Sequence, residues 1–301
     1  MDLTTLDIFR AVAAELSITR AASRLGRAQS NVTTRIQQLE QALGAELFSR
    51  EGKRLRLTEQ GEVFLRYAER LLALANEARQ ALTPHLPHGV LRLGTMESTA
   101  ASRLPAPLGH FHQACPQVTL RVTTGPSLAL AERLAAGEID CALLAVPFEF
   151  ADAAPAFLER YGFAGEPAYA ETLRLVMPHG YTERDLLQRA PGLPLAAFAP
   201  GCSYRALAQQ WMAARQPANT PPLAVHEVGS YHAMLACVAA GQSFSVMPEA
   251  VLALCAGAGS IELGAAIPTR TWLVWRSGYS VAAFEHFKAA LRGSYTQAPA
   301  C

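Results

Sequence analysis

Ser17-Ile-Thr-Arg-Ala-Ala-Ser-Arg-Leu25, Gly26-Arg-Ala28 and Gln29-Ser-Asn-Val-Thr-Thr-Arg-Ile-Gln-Gln-Leu-Glu40 form the stretch that decides how this chain is read. Ala21, Ala22 and Leu25 stripe one face of a short helix, with Ser17 placed to cap its start. Gly26 supplies a turn that needs positive φ. Val32, Ile36, Leu39 and Leu43 then recur at helical spacing and are expected to bury together. Ser30, Thr34 and Gln37 project to the opposite face, flanked by Asn31 and Thr33. Two short helices about a glycine turn make a helix-turn-helix, whose second helix can enter a DNA major groove. Uncharged hydroxyls and amides suit base edges, although an ordinary solvent-facing helix has the same polarity.

The surrounding charge favours DNA. From Arg20 to Arg56 there are eight basic residues against three acidic ones, a net of +5, whereas the whole chain is only +1. Local positive charge on a near-neutral protein is the footprint of a nucleic-acid reader. Glu51-Gly-Lys-Arg54 reads as a tight hairpin tip, a wing able to reach phosphates or the minor groove through Arg50, Lys53 and Arg54.

With these residues in view, the chain resembles the LysR-type transcriptional regulators along essentially its whole length. The resemblance rests on Leu6-Asp-Ile-Phe9, Ser17 to Leu25, Val32 to Glu40, Leu43-Gly-Ala-Glu-Leu-Phe48 with Arg50, and Leu57-Thr-Glu-Gln-Gly61. It implies a bacterial regulator that binds double-stranded promoter DNA as an oligomer and responds to a small effector. RNA polymerase is a further candidate partner. DNA contacts are expected from Gln29, Ser30, Asn31, Thr33, Thr34 and Arg35, with Arg50, Lys53 and Arg54 on the backbone. Members often carry serine where this chain has Ala28, which forgoes a helix cap, and arginine where it has Thr34.

Length and composition agree with that organisation. At 301 residues the chain is too long for one typical domain. No charged segment followed by an apolar run opens it, so no signal peptide is expected, and no stretch reaches the ~18 apolar residues of a membrane span. Cysteines 115, 141, 202, 237, 255 and 301 lack CxxC spacing, which suits reduced thiols in a cytoplasm. The histidines show no ligand pattern, and neither a metal nor a cofactor is expected.

From Thr58 to Leu82 a long helical pattern presents Phe64, Tyr67, Leu71, Leu74, Ala78 and Leu82 as a heptad-like seam. The seam needs a partner, either the chain's own domain or, as the resemblance implies, the same helix of a second subunit. Thr83 to Gly89 breaks the helix. Beyond it, strands at 90–95, 118–123 and 141–146 alternate with helices at 100–113 and 128–136, a parallel α/β order. Residues 162–169 read as a crossover loop. A second α/β unit follows, with strands at 173–177, 195–198, 224–228 and 243–246 and helices at 204–214 and 231–240. The chain is expected to cross back near 264–268 and to finish with a strand at 271–276 and a helix at 281–291.

The expected fold is therefore α/β, with an N-terminal winged helix-turn-helix, a long linker helix and a C-terminal two-lobed effector domain resembling the periplasmic-binding-protein fold. The corresponding boundaries are 1–57, 58–88 for the dimerisation helix and hinge, 89–165 for lobe I, 166–265 for lobe II, and 266–301 for the return to lobe I. A ligand would sit between lobes at strand carboxyl ends and helix amino ends. Glu97, Ser98, Thr99, Ser127, Cys202, Ser203 and Ser230 mark those points, though serine and threonine there also serve as plain caps. Helix termini favour anions, while Glu97 would repel an acidic ligand or pair with a cationic one.

Three function classes compete. A secreted solute-binding protein would explain the C-terminal two-thirds but not residues 1–82. An enzyme would need an assembled nucleophile and base; Cys202 and Ser203 have His226 and His232 downstream, but no G-x-S-x-G elbow is present. An effector-responsive regulator, assembling as a homodimer or homotetramer, accounts for the whole chain. Its variant is a redox regulator signalling through Cys202, whose position at a helix N-terminus beside Arg205 would lower the thiol pKa. Cys237 lies on a later helix of the same lobe.

Overall fold

A computed structural model describes residues 1–51, 54–82, 87–146, 154–188, 192–217, 220–255 and 261–295. The chain divides into two compact units, one of residues 1–84 and 136–138 and the other of residues 85–135 and 139–301.

The N-terminal unit comprises α1 (Leu3–Glu15), α2 (Ile18–Leu25), α3 (Gln29–Leu43), β1 (Phe48–Glu51), β2 (Arg54–Leu57) and α4 (Glu59–Ala81). Ser17 caps α2 by accepting from the Arg20 amide at 3.3 Å, and Gly26 ends it at φ +62°. Ala28 stands at the α3 N-cap without a side-chain bond. Phe9, Val12, Ala21, Val32, Ile36 and Leu39 close one core. Leu43 departs from expectation: it lies in the last turn of α3, past the three-helix contact, and is exposed. β1 and β2 pair antiparallel, Glu51 opposite Arg54, and form the wing; its tip residues 52 and 53 lie outside the described residues. Glu40 fixes the wing to α3, its carboxylate accepting from the Leu47 and Phe48 amides at 2.8 and 3.1 Å.

Thr58 caps α4 by accepting from the Gly61 amide at 2.9 Å and donates to the Glu46 carbonyl at 2.6 Å. This explains Leu57-Thr-Glu-Gln-Gly61 as a junction between wing and helix. The α4 helix then shows two apolar faces. Phe64, Leu65, Ala68 and Leu72 pack on the unit's own core, so Phe64 belongs there and not to the outward seam. Val63, Tyr67, Leu71, Leu74, Ala78 and Leu82 remain exposed along the other side.

In the C-terminal unit the chain runs through β3 (Gly89–Thr95), α5 (Glu97–Ser102), α6 (Pro105–Ala114), β4 (Val118–Thr124), α7 (Ser127–Ala135), β5 (Cys141–Ala145), α8 (Ala154–Tyr161) and β6 (Phe163–Pro178). It continues through α9 (Glu183–Gln188), β7 (Leu195–Ala197), α10 (Ser203–Ala213), β8 (Val225–Glu227), α11 (Tyr231–Ala239), β9 (Ser245–Pro248), α12 (Glu249–Leu252), β10 (Ile261–Arg276) and α13 (Ala282–Tyr295). The expected single helix over 100–113 is two helices. Pro105 cannot continue α5, and it starts α6 at a first-turn position that tolerates it.

The main sheet has the order β4-β3-β5-β10-β6-β9, with β3 parallel to β4 and β5. A second, two-stranded sheet of β7 and β8 is bridged to it through Leu195 and Phe244. Side chains alternate to opposite faces along each strand. Leu173 and Leu175 enter one lobe II core with Trp211 and Phe244, while Val176 enters the other with Met234 and Met247. Lobe I is likewise covered on both faces, Leu91, Leu143 and Phe284 on one and Leu130, Leu144 and Phe157 on the other.

The first crossover corrects the sequence reading. Residues 162–169 were expected as a loop, yet β6 is a continuous strand of 16 residues; β10, also of 16 residues, carries the chain back through 264–268, and the two pair antiparallel from Phe163–Arg276 to Pro178–Ile261. Pro167 and Pro268 are compatible with them because each lies where its strand has a ladder on one side only. β9 pairs with β6 over 173–176, and β5 pairs with β10 over 271–275. Proline is tolerated on such an edge, where no amide is required. At the middle of this ribbon Arg103 forms a two-pronged ion pair with the buried Glu171, at 2.9 and 3.2 Å, and its guanidinium lies over the Tyr169 ring.

Candidate functional site

The first candidate surface is the outer face of α3 with the wing. Burying Val32, Ile36 and Leu39 turns Ser30, Asn31, Thr34 and Gln37 to solvent, and all four are exposed. Gln29 is exposed at the α3 start, where its side-chain oxygen accepts from Thr19 at 3.2 Å; its amide NH₂ group faces no partner among the described residues. Thr33 is half-buried and its hydroxyl donates back to the Gln29 carbonyl at 3.0 Å. Arg35 turns toward the start of α1 instead, reaching the Asp2 carboxylate at 3.3 Å. Arg50 and Arg54 are exposed on the two wing strands, and Lys53 lies outside the described residues.

Not all the positive charge of this region is available. Glu15 pairs with both Arg20 and Arg24, and Arg20 also donates to the Glu15 carbonyl. Those arginines join α1 to α2, which leaves the wing as the main basic element beside the polar α3 face.

The second site is a cavity of about 370 Å³ within the C-terminal unit. Lobe I contributes Met96, Glu97 and Ser98 from the end of β3 and the start of α5, then Thr124, Gly125, Pro126 and Ser127 between β4 and α7. Lobe II contributes Phe198, Ala199, Cys202 and Tyr204 before and within α10, and Glu227, Val228, Gly229 and Tyr231 between β8 and α11. Both sets sit at strand carboxyl ends and helix amino ends, the position expected of an α/β ligand site.

Of the residues expected here, Glu97, Ser98, Ser127 and Cys202 line the cavity, and three do not. Thr99 is buried in α5 facing away. Ser203 reaches across the lobes and donates to the Ala145 carbonyl at 3.0 Å. Ser230 acts as the α11 cap, accepting from the Ala233 amide at 3.2 Å. The residues that sequence reasoning missed are Phe198, Tyr204, Glu227 and Tyr231. Tyr204 and Tyr231 each follow a flagged small residue by one position, so the right helix termini were identified and the wrong side chain chosen.

The cavity's chemistry is mixed. The Ser127 hydroxyl is fully buried, with no hydrogen-bond partner among the described residues, at the amino end of α7. Ser98 is buried beside the Tyr204 and Tyr231 phenols, whose pKa values burial pushes up. Phe198 and Tyr231 meet edge to face at 5.0 Å. Burial also raises the Glu97 carboxyl, opposed by the His232 imidazole, and one Glu97 oxygen is buried without a hydrogen-bond partner among the described residues. Glu227 is paired with Arg205 at 3.3 Å.

Cys202 departs from the expected electrostatics. Burial pushes its thiol up, outweighing the Arg205 and Tyr204 amides and the Arg205 guanidinium that pull it down. No disulfide forms among the described residues. Burial thus outweighs the local features that favour a thiolate, and the redox variant draws no support from this site. No group of histidine, cysteine and carboxylate side chains able to hold a metal occurs among the described residues, and none of the described helices is long and apolar enough to cross a membrane.

Comparison with known proteins bears on both regions. The family model for bacterial regulatory helix-turn-helix proteins of the lysR family matches residues 3–62, and that for the LysR substrate binding domain matches 84–295. The chain is 34% identical over 264 residues to an uncharacterised HTH-type transcriptional regulator, YusT of Bacillus subtilis, covering 87% of this chain and 84% of the relative. It is 33% identical over 254 residues to the HTH-type transcriptional regulator GltR of Bacillus subtilis, covering 84% and 81%. Its fold is similar to that of a full-length OxyR variant from Pseudomonas aeruginosa, with TM-score 0.66, 22% identity and 100% and 99% of the two chains covered. It is also similar to full-length CbnR, a LysR family transcriptional regulator solved in complex with its target DNA, with TM-score 0.64, 24% identity and 98% and 100% covered.

Proposed function

This chain belongs to the LysR family of bacterial helix-turn-helix transcriptional regulators, and we propose that it reads a specific promoter through α3 and its wing under control of a small molecule in the interlobe cleft. Members of the family bind promoter DNA and form oligomers, so the DNA-binding and effector-binding units have assigned general roles. The finer reading is ours. Residues 1–57 hold the DNA, 58–88 pair two subunits and form the hinge, 89–165 with 266–301 make lobe I, and 166–265 make lobe II. Gln29, Ser30, Asn31, Thr33 and Thr34 meet bases, while Arg50, Lys53 and Arg54 meet phosphates. Homodimers form along α4, homotetramers when sensing units also pair, and RNA polymerase is the downstream partner. No catalytic role is assigned to any residue.

One observation carries the effector reading: a cavity of about 370 Å³ bounded by both lobes. The lobes are joined by the β6–β10 ribbon and by hydrogen bonds across the cleft, among them Ser203 to Ala145 and the Leu128 amide to the Gly201 carbonyl at 3.4 Å. A ligand touching both lobes shifts their closure equilibrium by its differential affinity for the two states. The test is a promoter footprint with and without a metabolite panel, on wild type and on the cavity-filling variant Ala199→Trp. The variant should bind the promoter normally and lose the response. A full response in Ala199→Trp removes the cleft as the effector site.

A further inference from the structure

We propose that the molecule taken by the cleft carries a protonated amine, held by Glu97 against a wall formed by Phe198, Tyr204 and Tyr231. The inference rests on the reading of the cleft as the effector site, and it narrows the ligand's chemistry.

The charges decide it. Among the described residues the cavity lining holds no lysine or arginine and two carboxylates, Glu97 and Glu227. Glu227 is already compensated, because Arg205 lies 3.3 Å from it and also donates to the Phe198 carbonyl at 3.0 Å. Glu97 has no ion-pair partner within bonding distance among the described residues, and one of its oxygens is shut from solvent with no hydrogen bond. A half-buried carboxylate with one oxygen left this way is costly, and a charged donor from a ligand relieves the cost. A simple anion would instead add a second uncompensated negative charge to the same space.

The aromatic lining fits the same occupant. The faces of phenylalanine and tyrosine rings attract organic cations, and the apolar wall accepts the body of a small amine. Burial raises the Glu97 carboxyl while His232 pulls it down; a bound ammonium would add to that pull and favour the carboxylate. The ammonium could come from a free amino acid or from a simple amine. The buried Ser127 hydroxyl at the amino end of α7 offers a carboxylate site to the former only.

The experiment is calorimetric titration of the full-length protein with three matched pairs of probes. L-phenylalanine and L-leucine are the amino acids, phenethylamine and isoamylamine the simple amines, and 3-phenylpropanoate and 4-methylpentanoate the acids lacking an amine. Amine-bearing probes should bind wild type, and Glu97→Gln should weaken them by roughly tenfold or more, while the amine-free acids bind the variant at least as well as wild type. Binding by amino acids alone identifies a zwitterion, and binding by both amine classes shows that the ammonium suffices. Failure of every amine-bearing probe, preference for the amine-free acids, or unchanged amine affinity in Glu97→Gln overturns the proposal. Ala199→Trp separates the two levels. Amine-free acids that bind wild type and are lost in that variant leave the cleft as a ligand site and remove only the ammonium; any binding that survives in it lies outside the cleft.

Discussion

A Cβ added to Gly61 would sit 2.0 Å from the carbonyl oxygen of Leu47. That oxygen also accepts from the Thr58 amide at 3.0 Å, so the end of the α3–β1 connection is pressed against the first turn of α4. Only glycine allows this approach. In a free helix Gly→Ala gains about 1 kcal/mol. Here a backbone clash opposes it, and overpacking of this kind costs about 1–3 kcal/mol or more. Gly61→Ala is therefore expected to destabilise the N-terminal unit, read as faster amide exchange in α1–α3 with the C-terminal unit unaffected. A stabilised variant would show that the wing moves aside freely.

Arg103 and Glu171 tie α5 to the middle of the β6–β10 ribbon, with the Glu171 side chain 4% exposed and that of Arg103 32%. Removing one partner strands the other charge, whereas replacing both removes the desolvation cost as well. Glu171→Gln should lower the stability of the C-terminal unit by about 2–3 kcal/mol, with much of the loss recovered in the double variant Arg103→Met, Glu171→Met. All three tryptophans, Trp211, Trp272 and Trp275, lie in this unit, so fluorescence during urea unfolding reports it selectively.

On DNA, the α3 face and the wing should fail in different ways. Arg54→Ala should weaken binding to all sequences alike and reduce the salt slope by about one unit. Gln29→Ala should relax sequence preference, by about 1–3 kcal/mol at the position it contacts. Equal operator selectivity in wild type and Gln29→Ala would remove that residue from base readout.

Tyr67, Leu71 and Leu74 are 56%, 41% and 61% exposed along α4, an apolar stripe that water covers in the single chain. A charge at an exposed position changes the isolated chain by only about 0.5 kcal/mol, so lost assembly is separable from unfolding. Leu74→Glu should lower the sedimenting mass and weaken operator binding together. Unchanged mass with normal binding would place the subunit interface elsewhere.

The Glu97 carboxyl is raised by burial, with the His232 imidazole acting against that shift; Cys255 and the Tyr231 phenol also feel its charge. A raised carboxyl holds its proton in the folded state after the unfolded chain has lost it. Stability then falls as pH rises from the ordinary carboxyl range through the folded-state pKa. In the ligand-free protein, Glu97→Gln should accordingly raise Tm at neutral pH and match wild type below about pH 4. A lower Tm at neutral pH would mean that Glu97 is already stabilised by a partner.

Much was legible from local rules. The helix-turn-helix follows from a cap at Ser17, a turn at Gly26 and an apolar stripe through Val32, Ile36 and Leu39, all set by residues within one or two turns of each other. The same holds for α4, whose heptad spacing marks an outward seam, and for the order of strands and helices in each lobe. Local rules failed where a residue's state depends on chain far away in sequence. Gly165 and Pro167 look like a loop, and become a strand because residues about a hundred positions later pair with them on one edge only. Phe64 left the seam for the core because α1 supplies its partner, Phe9, which also packs against Phe48 of β1.

The cleft shows the same division. Sequence alone marked where the helices begin, since glycine and serine before an apolar helical run announce a terminus wherever it occurs; that these ends converge on one cleft was implied only by the family resemblance. Only the tertiary structure decided which side chains face the cavity, turning Ser203 to the Ala145 carbonyl and Ser230 to its own helix while placing Tyr204, Tyr231 and Glu227 in the lining. The thiol of Cys202 makes the point in energies: its helix terminus and neighbouring arginine are local and lower its pKa, but burial is a property of the packed lobes and wins. Periodicity and capping act over a few residues, whereas desolvation and strand pairing are set by whatever the rest of the chain brings alongside.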